Sequence, residues 1–183
     1  MVQSASIRKD FVSGEFITRT FRISGEASLR TDPLLDQLND HLALFVQLER
    51  VFISPLLNPV ALTGNYPVGQ VRKDNLGLVV LSNWREGLPR REGQYVGRDH
   101  IDRKILIMAG GFEVQGVLRL HPSVDLGNFV RTTPEQFIPV FEATAAMIAN
   151  PNVQFEGGAI LVNRAQIEVF CIVPRPGTGP LRS

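Results

Sequence analysis

Cysteine is nearly absent from this 183-residue chain, and so are lysine, long apolar runs and any surplus of charge of one sign. Each shortage closes off a class of protein. The single cysteine, Cys171, has no second thiol in the chain to pair with, which excludes an intrachain disulfide and any multi-cysteine metal site. Placed in the β-like run Ile167 to Val173, it reads as a small buried apolar residue. Apolar stretches such as Ile160 to Val162 and Val169 to Val173 fall far short of the roughly 20 residues that a membrane-crossing helix needs. Met1 to Lys9 lacks the apolar core of a signal peptide, so the expected location is cytoplasmic.

The charge balance is as informative when divided along the chain. Residues 1–82 carry eight Lys/Arg and eight Asp/Glu, residues 83–103 five and four, and residues 104–183 six and six. The net charge of +1 therefore belongs to the middle segment. A nucleic-acid binder draws affinity from a basic surplus or stripe that neutralises phosphates, and neither half has one. Basic residues are 16 Arg and 3 Lys, a skew consistent with planar ion pairing at interfaces or with a GC-rich genome, and no function is drawn from it.

Catalytic signatures are missing too. His41, His100 and His121 show no short metal-ligand spacing and read as structural or surface residues. Neither a GxSxG elbow, a GxxxxGK[ST] loop nor a GxGxxG turn occurs among the 16 glycines. Gly110-Gly111 and Gly157-Gly158 read as hairpin turns, because paired glycines accept positive φ. The expectation is a protein that is not an enzyme and holds no cofactor or metal; an enzyme would need Asp99, His100 and Asp102 gathered in a deep pocket beside a metal.

What the sequence does contain is a repeat. Shifted by 91 residues, Phe21, Gly25 and Leu29 fall on Phe112, Gly116 and Leu120, and Leu35 and Leu38 fall on Leu126 and Phe129. With one residue inserted, Phe45, Val46 and Leu48 fall on Phe137, Ile138 and Val140, and Val71, Leu76 and Val79 return to an offset of 91 on Val162, Ile167 and Phe170. Four collinear blocks at nearly constant offset predict two units, 14–82 and 104–173, with a Gly/Pro-rich charged connector at 83–103 and an extended tail at 174–183.

Within a unit the period is two. Phe112, Val114, Leu118 and Leu120 alternate with polar residues, predicting a half-buried strand with a bend or bulge at Gly116. A strand at Lys104 to Met108 precedes it. Asp125 to Val130 predicts a helical turn, followed by strands Phe137 to Val140 and Ala143 to Ile148, then Gly158 to Val162 and Gln166 to Val173. In the first unit Asp32 is the expected cap of a helix starting at Pro33, with Leu34, Leu35, Leu38 and Leu42 on one face. The fold class read from this is mainly β: two tandem small antiparallel β-barrels, each of about five strands with one short helix.

Ile105 to Gly111 followed by Phe112 to Leu118 resembles the first motif of Sm-like proteins, a strand, a tight glycine turn and a second strand with a glycine in its middle. Val71 to Val79 and Ile160 to Val169 look like that family's second motif. The pattern is also similar to a short bacterial domain with the Phe137-Ile138-Pro139 and Leu161-Val162-Asn163 segments. The resemblance implies a bacterial small-barrel fold. It does not carry RNA binding, because the family's arginine-glycine pair is Arg72-Lys73 in one unit and Asn163-Arg164 in the other.

The expected function is a structural or protein-interaction module that self-associates or docks to a larger assembly, its units packed about a pseudo-twofold axis and its unpaired strands open to another chain. The candidate interaction residues are Trp84, Arg85, Arg90, Arg91, Arg72, Lys73 and Arg164. The alternative is a nucleic-acid or nucleotide binder using Arg72, Lys73, Arg164 and the connector arginines. Arg85, Arg90 and Arg91 also resemble the arginine loop of small-barrel cyclic-dinucleotide receptors, whose companion Asp/Asn-x-Ser-x-x-Gly strand is missing here. Trp84 is the expected seal of the seam between the units.

Overall fold

A computed structural model describes residues 10–83, 85, 88 and 100–174. Strands β1 (Phe11–Thr18), β2 (Phe21–Ser28), β3 (Phe45–Pro55), β4 (Gly64–Arg72) and β5 (Leu76–Leu81) form the first set, with helix α1 (Leu34–Asn39) between β2 and β3 and one 3₁₀ turn (Lys73–Asn75) between β4 and β5. The second set has the same plan: β6 (Ile101–Ala109), β7 (Phe112–Leu120), helix α2 (Phe129–Thr132), β8 (Phe137–Met147), β9 (Asn150–Asn163), a 3₁₀ turn (Arg164–Gln166) and β10 (Ile167–Ile172). Asp102 and Arg103, expected in the connector, already belong to β6, and Trp84, Arg90, Arg91, Asp99 and most of the tail lie outside the described residues.

All ten strands join in one sheet, ordered β10-β6-β7-β8-β9-β5-β1-β2-β3-β4, every pair antiparallel. The protein is mainly β as expected, but the sheet is open, where the sequence pointed to two separate barrels. The physical reason lies in β5, whose free edge takes β9 as its partner. This seam is not twofold. A twofold would join equivalent strands, whereas here the fifth strand of one set meets the fourth of the other.

The two sets share their registers. Gly14 faces Gly25 in the first set, and 91 residues later Ile105 faces Gly116. The irregularity between Ser24 and Glu26 recurs between Gln115 and Val117, and the one between Ile17 and Thr18 recurs where β10 passes from Ile167 to Val169. Arg50 and Glu142 hold φ of 49° and 48° at matching places on β3 and β8. Such a bulge shifts the inward-facing phase: Val46 and Leu48 are buried before Arg50 and Val51 after it. The same device merges two expected strands, Phe137 to Val140 and Ala143 to Ile148, into the single β8.

Gly110 and Gly111, at φ of 57° and 85°, make the tight β6–β7 turn. Gly157-Gly158 does not turn. Both lie inside β9, where a Cβ on Gly157 would stand 2.8 Å from the Leu81 carbonyl oxygen, so the glycine permits close approach of β5. Gly116 is tighter still, with a Cβ there 2.7 Å from Val140 Cγ1 and 2.8 Å from the Phe141 carbonyl oxygen, whereas at Gly25 the nearest atom is at 3.3 Å. Gly116→Ala is accordingly expected to destabilise the chain by about 1 to 3 kcal/mol through overpacking, and Gly25→Ala by less than about 1 kcal/mol. Paired urea melts would expose the difference, and equal costs would contradict it.

Two apolar cores lie on opposite faces of the sheet, and each draws on both strand sets. The first gathers Phe16, Leu48, Val79, Leu81 and the α1 leucines with Phe137, Phe141, Ala159 and Leu161. The second joins Ile107, Val114, Val140 and Ile160 to Ile17, Leu56, Leu78 and Val80. Helix α1 buries Leu34, Leu35 and Leu38, but it ends at Asn39, leaving Leu42 in a turn at 95% exposure. Its N-cap position is Pro33, and Asp32 makes no capping bond there.

Candidate functional site

β5 and β9 explain how the seam is built. Both are apolar at successive positions, Leu78-Val79-Val80-Leu81 and Ala159-Ile160-Leu161-Val162, as a strand must be when both of its faces are covered. They pair Leu78 with Val162, Val79 with Leu161, Val80 with Ile160 and Leu81 with Ala159, all buried. Polar contacts lock the end of this seam. Asn163, fully buried, donates from Nδ2 to the Leu76 carbonyl oxygen at 2.8 Å, and Gln166 Nε2 donates to the carbonyl oxygens of Asp74 and Leu76, each at 3.0 Å. Asn39 pairs with both backbone groups of Phe137 across the seam.

Among the described residues, the outermost strands, β4 and β10, each present an edge with no partner strand. They are the fourth and fifth strands of their sets, as β9 and β5 are. Cys171, expected to be buried, is exposed on β10. Its place in the second set is that of Val80 in the first, and Val80 is buried because β9 and the second core cover it. The unpaired edge is what leaves Cys171 open.

Lys73 and Arg164, offered by the sequence as phosphate contacts, are committed to the fold. Lys73 begins the first 3₁₀ turn, is 2% exposed, and donates from Nζ to the Gln37 carbonyl oxygen at 3.0 Å and to that of Asp40. It thereby caps the C-terminal end of α1 with a cation. Arg164 begins the second 3₁₀ turn and donates to the carbonyl oxygens of Glu135 (Nε, 3.0 Å) and Val130 (Nη1, 3.4 Å), tying α2 and its following loop in the same way. Arg72 is exposed and paired with Asp74 at 3.2 Å. Arg85 is exposed, its backbone N–H on Asn83 Oδ1 at 3.2 Å, while Trp84, Arg90 and Arg91 lie outside the described residues. Of the three, Arg72 is exposed, Arg164 is half-buried and Lys73 is buried, although their two turns lie side by side, with Asn163 Nδ2 donating to the Lys73 carbonyl oxygen at 3.4 Å.

Burial lowers the Lys73 pKa from its ordinary 10.5, with Asp40 and Asp74 opposing the shift. The unfolded chain holds that proton more tightly, so the penalty for burying the charge is present in full below the folded value and fades as pH rises towards 10.5. Lys73→Ala is expected to cost about 1 to 3 kcal/mol at neutral pH, because the α1 carbonyls lose their donor. Denaturant titration would measure it; a neutral result would mean that the clamp holds nothing.

A cleft of about 300 Å³ is lined by His100, Arg119, His121, Thr133 and Glu135 above Phe137 and Ile138, and two others, of about 520 and 420 Å³, also carry ionisable side chains, Arg19 and Glu168 in one and Glu15, Glu26, Arg50 and Glu156 in the other. Arg119 lies 4.5 Å over the Phe141 ring and meets Glu142 at 3.3 Å and Asp102 at 3.8 Å, while His121 Nδ1 is held by Ser123 at 2.7 Å. Asp102 thus faces Arg119, and Asp99 lies outside the described residues. Among the described residues no three His, Cys, Asp or Glu side chains stand close enough to hold a metal, and no helix is long and apolar enough to cross a membrane.

The features that stand out among the described residues are thus an open ten-stranded antiparallel sheet, a sealed internal seam and two edges without a partner strand. The chain matches no protein-family model, no curated protein and no solved structure.

Proposed function

We propose that this chain is a non-enzymatic structural or protein-interaction module, built from a duplicated Sm-like β unit and acting in a bacterial cytoplasm by associating with further copies of itself. The observation that carries this reading is the pair of partly apolar edges, β4 and β10, which have no partner among the described residues and lie at the ends of a sheet whose interior seam joins the same kinds of strand. Exposed strand edges offer rows of unpaired N–H and C=O groups that another chain can satisfy. The shared registers of the two strand sets support the duplication. Burial of Lys73 and the carbonyl bonds of Arg164 favour this reading over nucleic-acid binding. Sedimentation equilibrium tests it: masses that are multiples of 20.3 kDa are expected, and a strict 20.3 kDa monomer throughout the micromolar range would overturn it.

A further inference from the structure

Resting on that reading, we propose that copies join head to tail, β4 of one pairing antiparallel with β10 of the next, in the register of the internal seam. Subtracting 91 from the β9 residues of the seam gives Val68, Gly69, Gln70 and Val71 on β4, and adding 91 to the β5 residues gives Val169, Phe170, Cys171 and Ile172 on β10. The pairs between copies are then Val71 with Val169, Gln70 with Phe170, Gly69 with Cys171, and Val68 with Ile172. Pro67, which has no N–H to donate, falls one residue outside this register and ends the pairing there.

Burial makes the same assignment. Leu78, Leu81 and Ala159 are fully buried in the seam, while their counterparts Val169, Ile172 and Val68 are exposed. The correspondence extends past the edge strands: Phe137 and Leu56 are covered at the seam, and the residues in their places, Phe45 and Ile148, are bare. These five apolar side chains range from 41% (Ile172) to 57% (Ile148) exposed, and a neighbouring copy set as the seam is would cover each of them. Polar counterparts follow. Where Asn163 and Gln166 donate to carbonyls across the seam, β4 and its turn supply Arg72 and Asn75, both N–H donors. Because β4 meets β10 and not another β4, the contact is heterologous, and repetition gives either a closed ring or a filament.

The test places cysteines at Val68 and Ile172 in a Cys171→Ser background. Directly opposed residues of antiparallel strands have Cα atoms about 4.5 to 5.5 Å apart, within disulfide reach. Mild oxidation of the full chain is expected to give a ladder of covalent multimers that reductant collapses, with circular dichroism checking that the β fold is intact. Sedimentation of the unsubstituted chain runs in parallel. Multimers by sedimentation without a ladder would overturn this register and leave self-association standing, whereas a monomer would overturn both.

Discussion

Leu161→Ala is expected to cost about 3 to 5 kcal/mol, a large share of the 5 to 15 kcal/mol that holds a typical domain folded. Leu161 is fully buried on β9, opposite Val79 on one side and Pro139 on the other. Its truncation opens a cavity in the first core, against Phe137, Phe141 and Ala159, in a central strand that cannot collapse without moving both strand sets. For a chain of this length the melting temperature should fall by roughly 10 °C. The position 91 residues earlier is Gln70, exposed on the outer edge, where Gln70→Ala is expected to change monomer stability by less than about 0.5 kcal/mol. Calorimetry on the two variants separates a structural seam from incidental contact; a Leu161→Ala cost below about 1 kcal/mol would contradict the fold.

Val169→Lys is expected to abolish association while leaving the chain folded. Val169 stands 46% exposed on β10, so lysine is tolerated in the single chain, yet between copies its charge would be pressed against Val71 of β4 with no partner. The sedimenting mass should fall to 20.3 kDa with an unchanged circular dichroism spectrum. Glu113→Lys on β7, an interior strand separated from the β10 edge by β6, is the control and should assemble normally. Assembly of the Val169→Lys chain as strong as that of the control would show that association uses another surface.

Much of the strand plan was legible in the residues. The tight turn at Gly110-Gly111, the irregularity at Gly116, whose extra residue lies opposite it on β8, and the near-constant offset between Phe21 and Phe112 or Leu76 and Ile167 all have local causes: positive φ, missing Cβ atoms and period-two burial. Pairing choice is not local. Leu78 to Leu81 reads as a strand covered on both faces, but its letters do not say whether its neighbour is β4, closing a barrel, or β9, extending a sheet. Gly157 misled for a related reason, since a glycine pair serves a turn or a close approach equally well and only the position of β5 decides between them.

The candidate residues were less legible than the strands. Cys171 was read as buried because its run is apolar, and it is exposed because that run lies at an edge. Lys73 and Arg164 were read as surface cations because charge usually is, yet both hold the carbonyls of the inserts that precede β3 and β8. Their offset of 91 was visible in the sequence, and two cations at equivalent places beside a helix C-terminus were the available signal. The edges themselves had no signal in the letters, because exposure of Val68 or Ile172 depends on the order of the strands.

Mixing two single variants tests the central claim most directly. In a Cys171→Ser background, a Val68→Cys chain and an Ile172→Cys chain are oxidised alone and together. Head-to-tail pairing of β4 with β10 places the two thiols opposite each other only between unlike chains, so covalent dimers should form in the mixture and not in either sample alone. Dimers in a single-variant sample, or none in the mixture while the chains remain associated, would contradict it.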